Sequence, residues 1–525
     1  MQLFGLSLGN SVFSTAIVLS SFMGGLALGN LLITCWGYKI RSPLRFYAFL
    51  EIMIGVSTLA LVLSIPIITV TMLPIYRLLL NNPVLLNTFR TAVSFFLMLF
   101  VTTAMGATLP VFVKVLYTKN RIYGRILGSL YGCNTMGAVF GLIITEVFLV
   151  KYFGLTGTAA IAAGFNLLAA ITILIISGKH SSTYTLNADS DPAAAEKINR
   201  KTIKIIITSF FSGFVLLALE IVWFRFMCIF YPGYSMNFTI MLATVLGGIS
   251  LGGLFASSWI KKNPHAHHNI PVVFIINSIA IIILYTLFAL ILEIAELFFS
   301  NISIFISSLF LMFPVSFISG ILFTLLGKTL HISIKSGTRT TGLLSLSNTT
   351  GSMLGALFSG LFAISHMGIE KSFFLYAFIY MVMAFITFDK NYFIPLKKRI
   401  LYPSILLIIL SILMLSFPFG LMENHYSIVK SPFIKNDEKR TAYKETLTEI
   451  IQYFRKDLLG EPYYYRLVTN TYSMSTTRLK GKRYMKLFVY LPMAVLDEPK
   501  NALLLCYGCA NTAKALTETE SLETI

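Results

Sequence analysis

Gly24-Gly25-Leu26-Ala27-Leu28-Gly29 recurs as Gly247-Gly248-Ile249-Ser250-Leu251-Gly252, at an offset of 223 positions. Asn134-Thr135-x-Gly137-x3-Gly141 recurs as Asn348-Thr349-x-Gly351-x3-Gly355, at an offset of 214. Gly106 with Gly320 and Gly154 with Gly368 keep the second offset. Landmarks repeated in one order mark an internal duplication. Each copy carries two G-x-x-x-G pairs: Gly25/Gly29 and Gly137/Gly141, then Gly248/Gly252 and Gly351/Gly355. Glycines four apart share a helix face and let another backbone approach, which is how helices associate in lipid. A solute path between the halves is the sharper reading, because repeat-built transporters bind near the midplane at the repeat interface.

The composition around these landmarks is that of a membrane protein. Of 525 residues 56% are hydrophobic and 12% charged, against ~25% charged in a soluble domain. With 44 Phe and 25 Tyr the chain is also unlike a disordered one. Twelve apolar runs are long enough to expect spans, near 12–37, 44–72, 91–113, 127–150, 157–177, 205–227, 236–259, 270–295, 302–327, 341–364, 371–388 and 400–421. The expected organisation is a first repeat at 1–180, a linker at 181–204 and a second repeat at 205–390. An extra span at 391–422 and a soluble region at 423–525 follow. The second copy opens with a span, Ser209 to Arg225, that has no counterpart upstream, so the first copy reads as five spans with a helix missing.

The net charge of +19 follows the membrane, not a nucleic acid. Lys39, Arg41 and Arg45, the 114–125 loop, the 179–204 linker, Lys261, Lys262, Lys328 and Lys397 to Arg399 all fall on one face. Opposite loops hold Arg77, Arg90, Lys151 and Lys371, so the richer face is assigned to the cytoplasm. An integral protein of a bacterial inner membrane is the expected location, with the lipid bilayer as its partner. A span at 400–421 would carry the tail to the outside.

Ionisable residues inside spans are costly and thus candidates for function: Glu51, Glu146, Glu220 and Arg225. Arg225 stands near a span end, where it could snorkel to the interface. His265-x-His267-His268 lacks a nearby carboxylate or cysteine, so it reads as a polar loop and no metal is expected. The five cysteines give no disulfide framework, and Cys506-x-x-Cys509 reads as a strand end entering a turn.

The tail changes character. Tyr463 to Thr469 is β-prone, Asn470-Thr471 is a turn signal, and Arg483 to Val495 is an amphipathic helix. Ala502 to Cys506 reads as a buried parallel strand and Ala513 to Thr519 as a helix, joined by Tyr507-Gly508-Cys509-Ala510-Asn511-Thr512. Strand, tight turn and helix can present backbone N–H groups to a nucleotide-like ligand.

Leu467 to Ser475, Arg483-Tyr484-Met485, Tyr490-Leu491-Pro492, Pro499-Lys500 and the 503–516 segment together resemble the opening of a spermidine synthase-type domain. With GGLALG, the NTxGxxxG pairs and SGFVLLALEIVWFR, the chain resembles proteins that fuse a major-facilitator-like membrane domain to such a synthase. The resemblance implies a duplicated transporter-like helical bundle followed by an incomplete α/β, class I methyltransferase-like domain. It implies aminopropyl transfer from decarboxylated S-adenosylmethionine, as cosubstrate, to a polyamine such as putrescine. Gly508, Ala510, Asn511 and Thr512 would hold the cosubstrate, and Tyr472, Ser473, Tyr484 and Tyr490 would line the substrate pocket. The family's His and Glu after the tyrosine are Met485 and Lys486 here, its His before Leu-Pro is Tyr490, and Ala510 stands where Gly is common. The ribose-binding acid and the catalytic aspartate loop are expected beyond Ile525, so the chain reads as truncated at both ends. The alternatives are a multispan transporter of polyamines or other small organic solutes, and a non-catalytic membrane scaffold.

Overall fold

The structure, a computed structural model, describes residues 12–117, 122–179, 199–231, 235–299, 302–388, 397–429, 437–446, 448–497 and 499–525. Most of the expected linker, with Lys119, Arg121, Lys197 and Lys390, lies outside them. The chain forms two compact units, one of Met1–Phe224 with Gly233–Pro418, the other of Arg225–Pro232 with Phe419–Ile525.

In the first unit the helices are α1 (Val12–Trp36), α2 (Pro43–Leu79), α3 (Pro83–Tyr117), α4 (Tyr123–Ile144) and α5 (Val150–Lys179). Then come α6 (Arg200–Phe230, whose last turns belong to the second unit), α7 (Ser235–Lys262), α8 (Ile270–Thr286) and α9 (Phe288–Phe299). Next are α10 (Ser303–Ile334), α11 (Gly337–Phe358), α12 (Gly368–Thr387) and α13 (Lys397–Leu415). Among the described residues nine helical stretches are long and apolar enough to cross a membrane, so this is a polytopic helical membrane protein. The twelve expected runs differ from nine for a physical reason. Two stretches, Tyr123–Gly178 and Gly337–Thr387, are 56 and 51 residues long and would each extend well over twice the ~30 Å hydrocarbon core if straight. Each breaks midway at a glycine, Gly154 (φ 65°, ψ −176°) and Gly368 (φ 78°, ψ 176°), a conformation that L side chains rarely adopt. The run at 400–421 is different: its described apolar part, Ser404–Leu415 of α13, is shorter and stands apart from the nine.

The duplication is visible atom by atom. A Cβ on Gly29 would fall 2.0 Å from Thr103 O, and one on Gly252 2.0 Å from Phe317 O. Gly106 backs onto Leu26 O at 2.2 Å and Gly320 onto Ile249 O at 2.2 Å, so α1 meets α3 as α7 meets α10. The π-helical turns Thr145–Leu149 and Ser359–Met367 begin at matching positions, each just before its glycine break. The remaining glycine pairs part company. Gly351 and Gly355 back onto Phe210 O (1.9 Å) and Phe214 O (2.1 Å) of α6, whereas a Cβ on Gly137 or Gly141 meets nothing within 4 Å among the described residues.

In the second unit β1 (Lys439–Glu445), β2 (Ile450–Leu458), β3 (Glu461–Thr469) and β4 (Tyr472–Thr476) form one antiparallel sheet in sequence order. Leu459 and Gly460, both at positive φ, turn β2 into β3, and Asn470 at φ 53° turns β3 into β4. Ile450, Gln452, Phe454, Tyr464, Arg466 and Val468 alternate onto the buried face. On it Arg466 pairs with Glu438 at 2.8 Å, both almost wholly buried. Breaking such a pair leaves a charge unpaired, so Glu438→Ala should cost this unit about 3–5 kcal/mol. Denaturant titration followed by far-UV circular dichroism of the sheet checks this, and an unchanged midpoint would contradict it.

Helices α14 (Leu479–Val495) and α15 (Asn511–Thr517) share a small core of Val489, Ala515 and Leu516. The expected strand at Ala502 to Cys506 is absent. Ala502 and Leu504 turn inward to that core while Leu503 and Leu505 are 83% and 77% exposed. A buried parallel strand needs neighbours on both edges and cover on both faces. Among the described residues its one pairing is with the segment at Thr524, through an Ala502 N–H bond of 2.9 Å. The described tail is therefore a four-stranded antiparallel sheet with two helices and not an evident methyltransferase fold.

Candidate functional site

The two repeats meet along a seam built twice from the same parts. Gly342 of α11 abuts α1, where its Cβ would lie 2.2 Å from Thr34 Oγ1 and 3.3 Å from Asn30 O. Gly128 of α4 abuts α7, where its Cβ would lie 2.7 Å from Gly253 O and 3.1 Å from Ser257 Cβ. Gly128 matches Gly342 at the 214 offset, and Asn30 and Thr34 match Gly253 and Ser257 at the 223 offset. The seam thus has an approximate two-fold relation. Ser250 Oγ donates to Gly132 O at 2.7 Å and Ser257 Oγ to Arg125 O at 2.9 Å, fastening α7 to α4. Ser20 Oγ reaches Met353 O at 3.2 Å from α1 to α11. Small residues and hydroxyls hold this interface, the chemistry of helix contacts in lipid.

One end of the seam is closed by a polar latch. Tyr117 OH meets His331 Nε2 at 3.0 Å, and these residues stand 214 positions apart. Equivalent residues that touch each other lie on the two-fold relation itself. Tyr123 stacks on the His331 ring at 4.2 Å and its OH meets Thr341 Oγ1 at 2.8 Å. His331 Nδ1 faces Thr340 Oγ1 at 3.4 Å. Beside the latch, Lys114 Nζ donates to Gly37 O (2.9 Å) and Ile40 O (3.2 Å) at the end of α1. Its counterpart Lys328 donates to Pro264 O, just past the end of α7. A cation on the last carbonyls of a helix is favourable. By sequence alone both lysines read as plain loop charge, and the two recurring motifs do not include Tyr117, Tyr123, His331, Gly128 or Gly342. The repeat offset, applied to every residue and not to glycine motifs alone, pairs 114 with 328 and 128 with 342.

The acidic candidates are not brought together. Glu51 is buried in α2 and hydrogen-bonds Tyr47, one turn back, whose ring packs on Phe112. Glu146 is half-buried in the π-turn after α4. Glu220 sits in α6 with its Oε1 buried and unpartnered among the described residues. Arg225 does not snorkel: it is 0% exposed, and Glu445, Glu449 and Tyr443 of its own unit are charged or ionisable groups acting on it. Among the described residues no three His, Cys, Asp or Glu side chains converge as metal ligands would.

In the tail the proposed cosubstrate loop is closed by its own neighbours. Gly508 (φ 57°) and Ala510 (φ 61°) shape the turn, and Tyr453 OH donates to Gly508 O at 3.0 Å. The Cys509 N–H donates to Ser475 Oγ at 3.1 Å, Asn511 Nδ2 to Thr476 O at 2.9 Å and Thr512 Oγ1 to Met485 O at 3.3 Å. The Cys509 N–H and the Asn511 and Thr512 side chains are thus bonded within the tail, and α15 has seven residues. Tyr472, Tyr484 and Tyr490 are exposed, and Ser473 is half-buried on β4. Lys486 donates to Glu518 at 2.7 Å, and Tyr490 OH lies 3.5 Å from the same carboxylate. The Lys486 hydrogen bond holds Glu518 below the usual carboxylate range, and Glu518 in turn raises Lys486. Lys486, Tyr490 and Glu518 thus form one exposed polar cluster around an ion pair.

No protein-family model and no curated protein matches the chain. Among solved structures it is similar to the human organic anion transporter MFSD10 (TETRAN), at 10% identity and a TM-score of 0.43, over 74% of this chain and 85% of that one.

Proposed function

We propose that the membrane unit is a transporter that moves a small organic solute along the seam between its two repeats. The single observation that carries this is the doubled seam, in which Gly128 of α4 against α7 and Gly342 of α11 against α1 make equivalent contacts around the Tyr117–His331 latch. Two equivalent halves joined by close but small contacts can rock about a central site, as repeat-built transporters do. The latch lies among the basic helix ends that charge bias assigns to the cytoplasm, so it serves as the cytoplasmic gate. In this reading the repeats are 1–180 and 205–390, and the 423–525 region is an attached accessory.

Aminopropyl transfer has no comparable arrangement behind it: in the loop at Gly508 to Thr512 the Cys509 N–H and the Asn511 side chain are bonded within the tail. Polyamines remain the first solutes to try, since the tail resembles polyamine enzymes. The test is uptake and counterflow by the purified chain in proteoliposomes, with labelled putrescine, spermidine, organic acids and neutral solutes. Protein-dependent, saturable counterflow of one class is expected. Flat traces across the panel would end the transport reading.

A further inference from the structure

The second repeat carries a pocket that the seam does not use. It has a volume of about 250 Å³ and lies between the start of α6, the turn before α8, the last turns of α10 and the end of α12. Its ionisable lining is Lys201, Lys204, His267 and His268, with no Asp or Glu lining it among the described residues. Ser333 adds a hydroxyl, the hydroxyls of Thr208, Thr329 and Thr387 donate to Lys204 O, Leu325 O and Met383 O of their own helices, and Ile205, Ile270, Pro271, Leu326 and Ile332 form an apolar wall. The Nδ1 of His267 is buried without a hydrogen-bond partner among the described residues. Lys328, bound to Pro264 O, holds the turn that carries the histidines and adds a further cation nearby. The site is not duplicated: Thr329 has Val115 at the matching position of the first repeat.

From this geometry we infer a binding site for a phosphate group, whose charge and acceptor oxygens suit two lysines, two imidazoles and the Ser333 hydroxyl. Cationic side chains and hydroxyl donors to phosphate oxygens form charge-assisted hydrogen bonds. Basic pockets between membrane helices on the cytoplasmic side take anionic headgroups. A free phosphate and a phospholipid headgroup share that chemistry, and the apolar wall leaves room for either. The inference does not depend on transport.

The experiment uses the full chain, delipidated in a neutral detergent, with inorganic phosphate as one probe and nanodiscs of phosphatidylglycerol or phosphatidylcholine as the other. Thermal shift and native mass spectrometry read binding. Wild type is compared with Lys201→Gln/Lys204→Gln, with the charge-keeping Lys201→Arg/Lys204→Arg, and with Thr329→Leu, which narrows the pocket without touching charge. One phosphate-bearing ligand per chain is expected, weakened about tenfold or more by the glutamine pair, kept by the arginine pair and lost with Thr329→Leu. Saturation by inorganic phosphate assigns a soluble ligand, and saturation by phosphatidylglycerol alone assigns a headgroup. Equal affinity of wild type and the glutamine pair for both probes would overturn the site, as would phosphatidylglycerol binding no tighter than phosphatidylcholine when inorganic phosphate fails to bind.

Discussion

Alanine at Gly137 and Gly141 should stabilise the protein, and alanine at the equivalent Gly351 and Gly355 should destabilise it severely. Glycine inside a helix costs about 1 kcal/mol relative to alanine, so each first-repeat substitution recovers up to that amount where no atom obstructs the methyl group. At Gly355 the new Cβ would stand 2.1 Å from Phe214 O, and at Gly351 1.9 Å from Phe210 O. An ordinary carbon–oxygen contact is roughly 3.3 Å, so α6 would have to retreat by more than an ångström. That retreat would break Asn348 Nδ2 to Ser209 O, Ser352 Oγ to Gly213 O and Ser359 Oγ to Ala218 O. Overpacking alone costs about 1–3 kcal/mol per site, and the lost hydrogen bonds add to it. Thermal unfolding in detergent, followed by fluorescence of Trp36, Trp223 and Trp259, reads both signs in one assay. Similar losses at both pairs would show that the first-repeat glycine face is covered as closely as the second.

How much of this was legible in the sequence depends on what each residue has to do. Glycines that touch a backbone cannot change, so Gly29, Gly106, Gly252 and Gly320 displayed the duplication directly, and their contacts follow the same offsets. Gly154 and Gly368 were visible as a matched pair, but that each breaks a long helix needed φ values. The latch was hidden because its central residues are Tyr117 in one repeat and His331 in the other, so a difference of residue type concealed equivalence of place. Lys114 and Lys328 were visible as charge and invisible as caps, since a cation near a helix end reads the same whether it faces water or a carbonyl. In the tail, alternation revealed β3 and the turn at Asn470, because one buried face leaves a period of two. The run at Ala502 to Cys506 misled for the complementary reason: continuous apolarity does not say which faces are covered. Arg225 stood near a helix end, and only the fold shows that its end belongs to the second unit and is enclosed.

Locking the seam tests the transport mechanism itself. In a chain whose five cysteines have been replaced, Thr34→Cys with Gly342→Cys should form a disulfide between α1 and α11 and arrest solute counterflow by at least about tenfold. An ideal Cβ on Gly342 lies 3.2 Å from Thr34 Cβ, a few tenths of an ångström inside the 3.5–4.5 Å range of disulfides, so a small relaxation suffices. Removing the Thr34 hydroxyl also clears the atom that stands 2.2 Å from that Cβ. If the halves rock about the seam, α1 and α11 must change their spacing in each cycle, and a covalent bond there holds one state. Reductant should then restore counterflow, while the single variants under oxidant keep it. The equivalent pair, Gly128→Cys with Ser257→Cys, is more crowded because Gly253 O stands 2.7 Å from the Gly128 Cβ, and should cross-link more slowly with the same effect. Full counterflow by a chain shown by mass to be quantitatively cross-linked would mean that the seam is a fixed spine, and that any path lies within a repeat. Arrest by either bond, reversed by reductant, would place the moving interface where the two-fold contacts are.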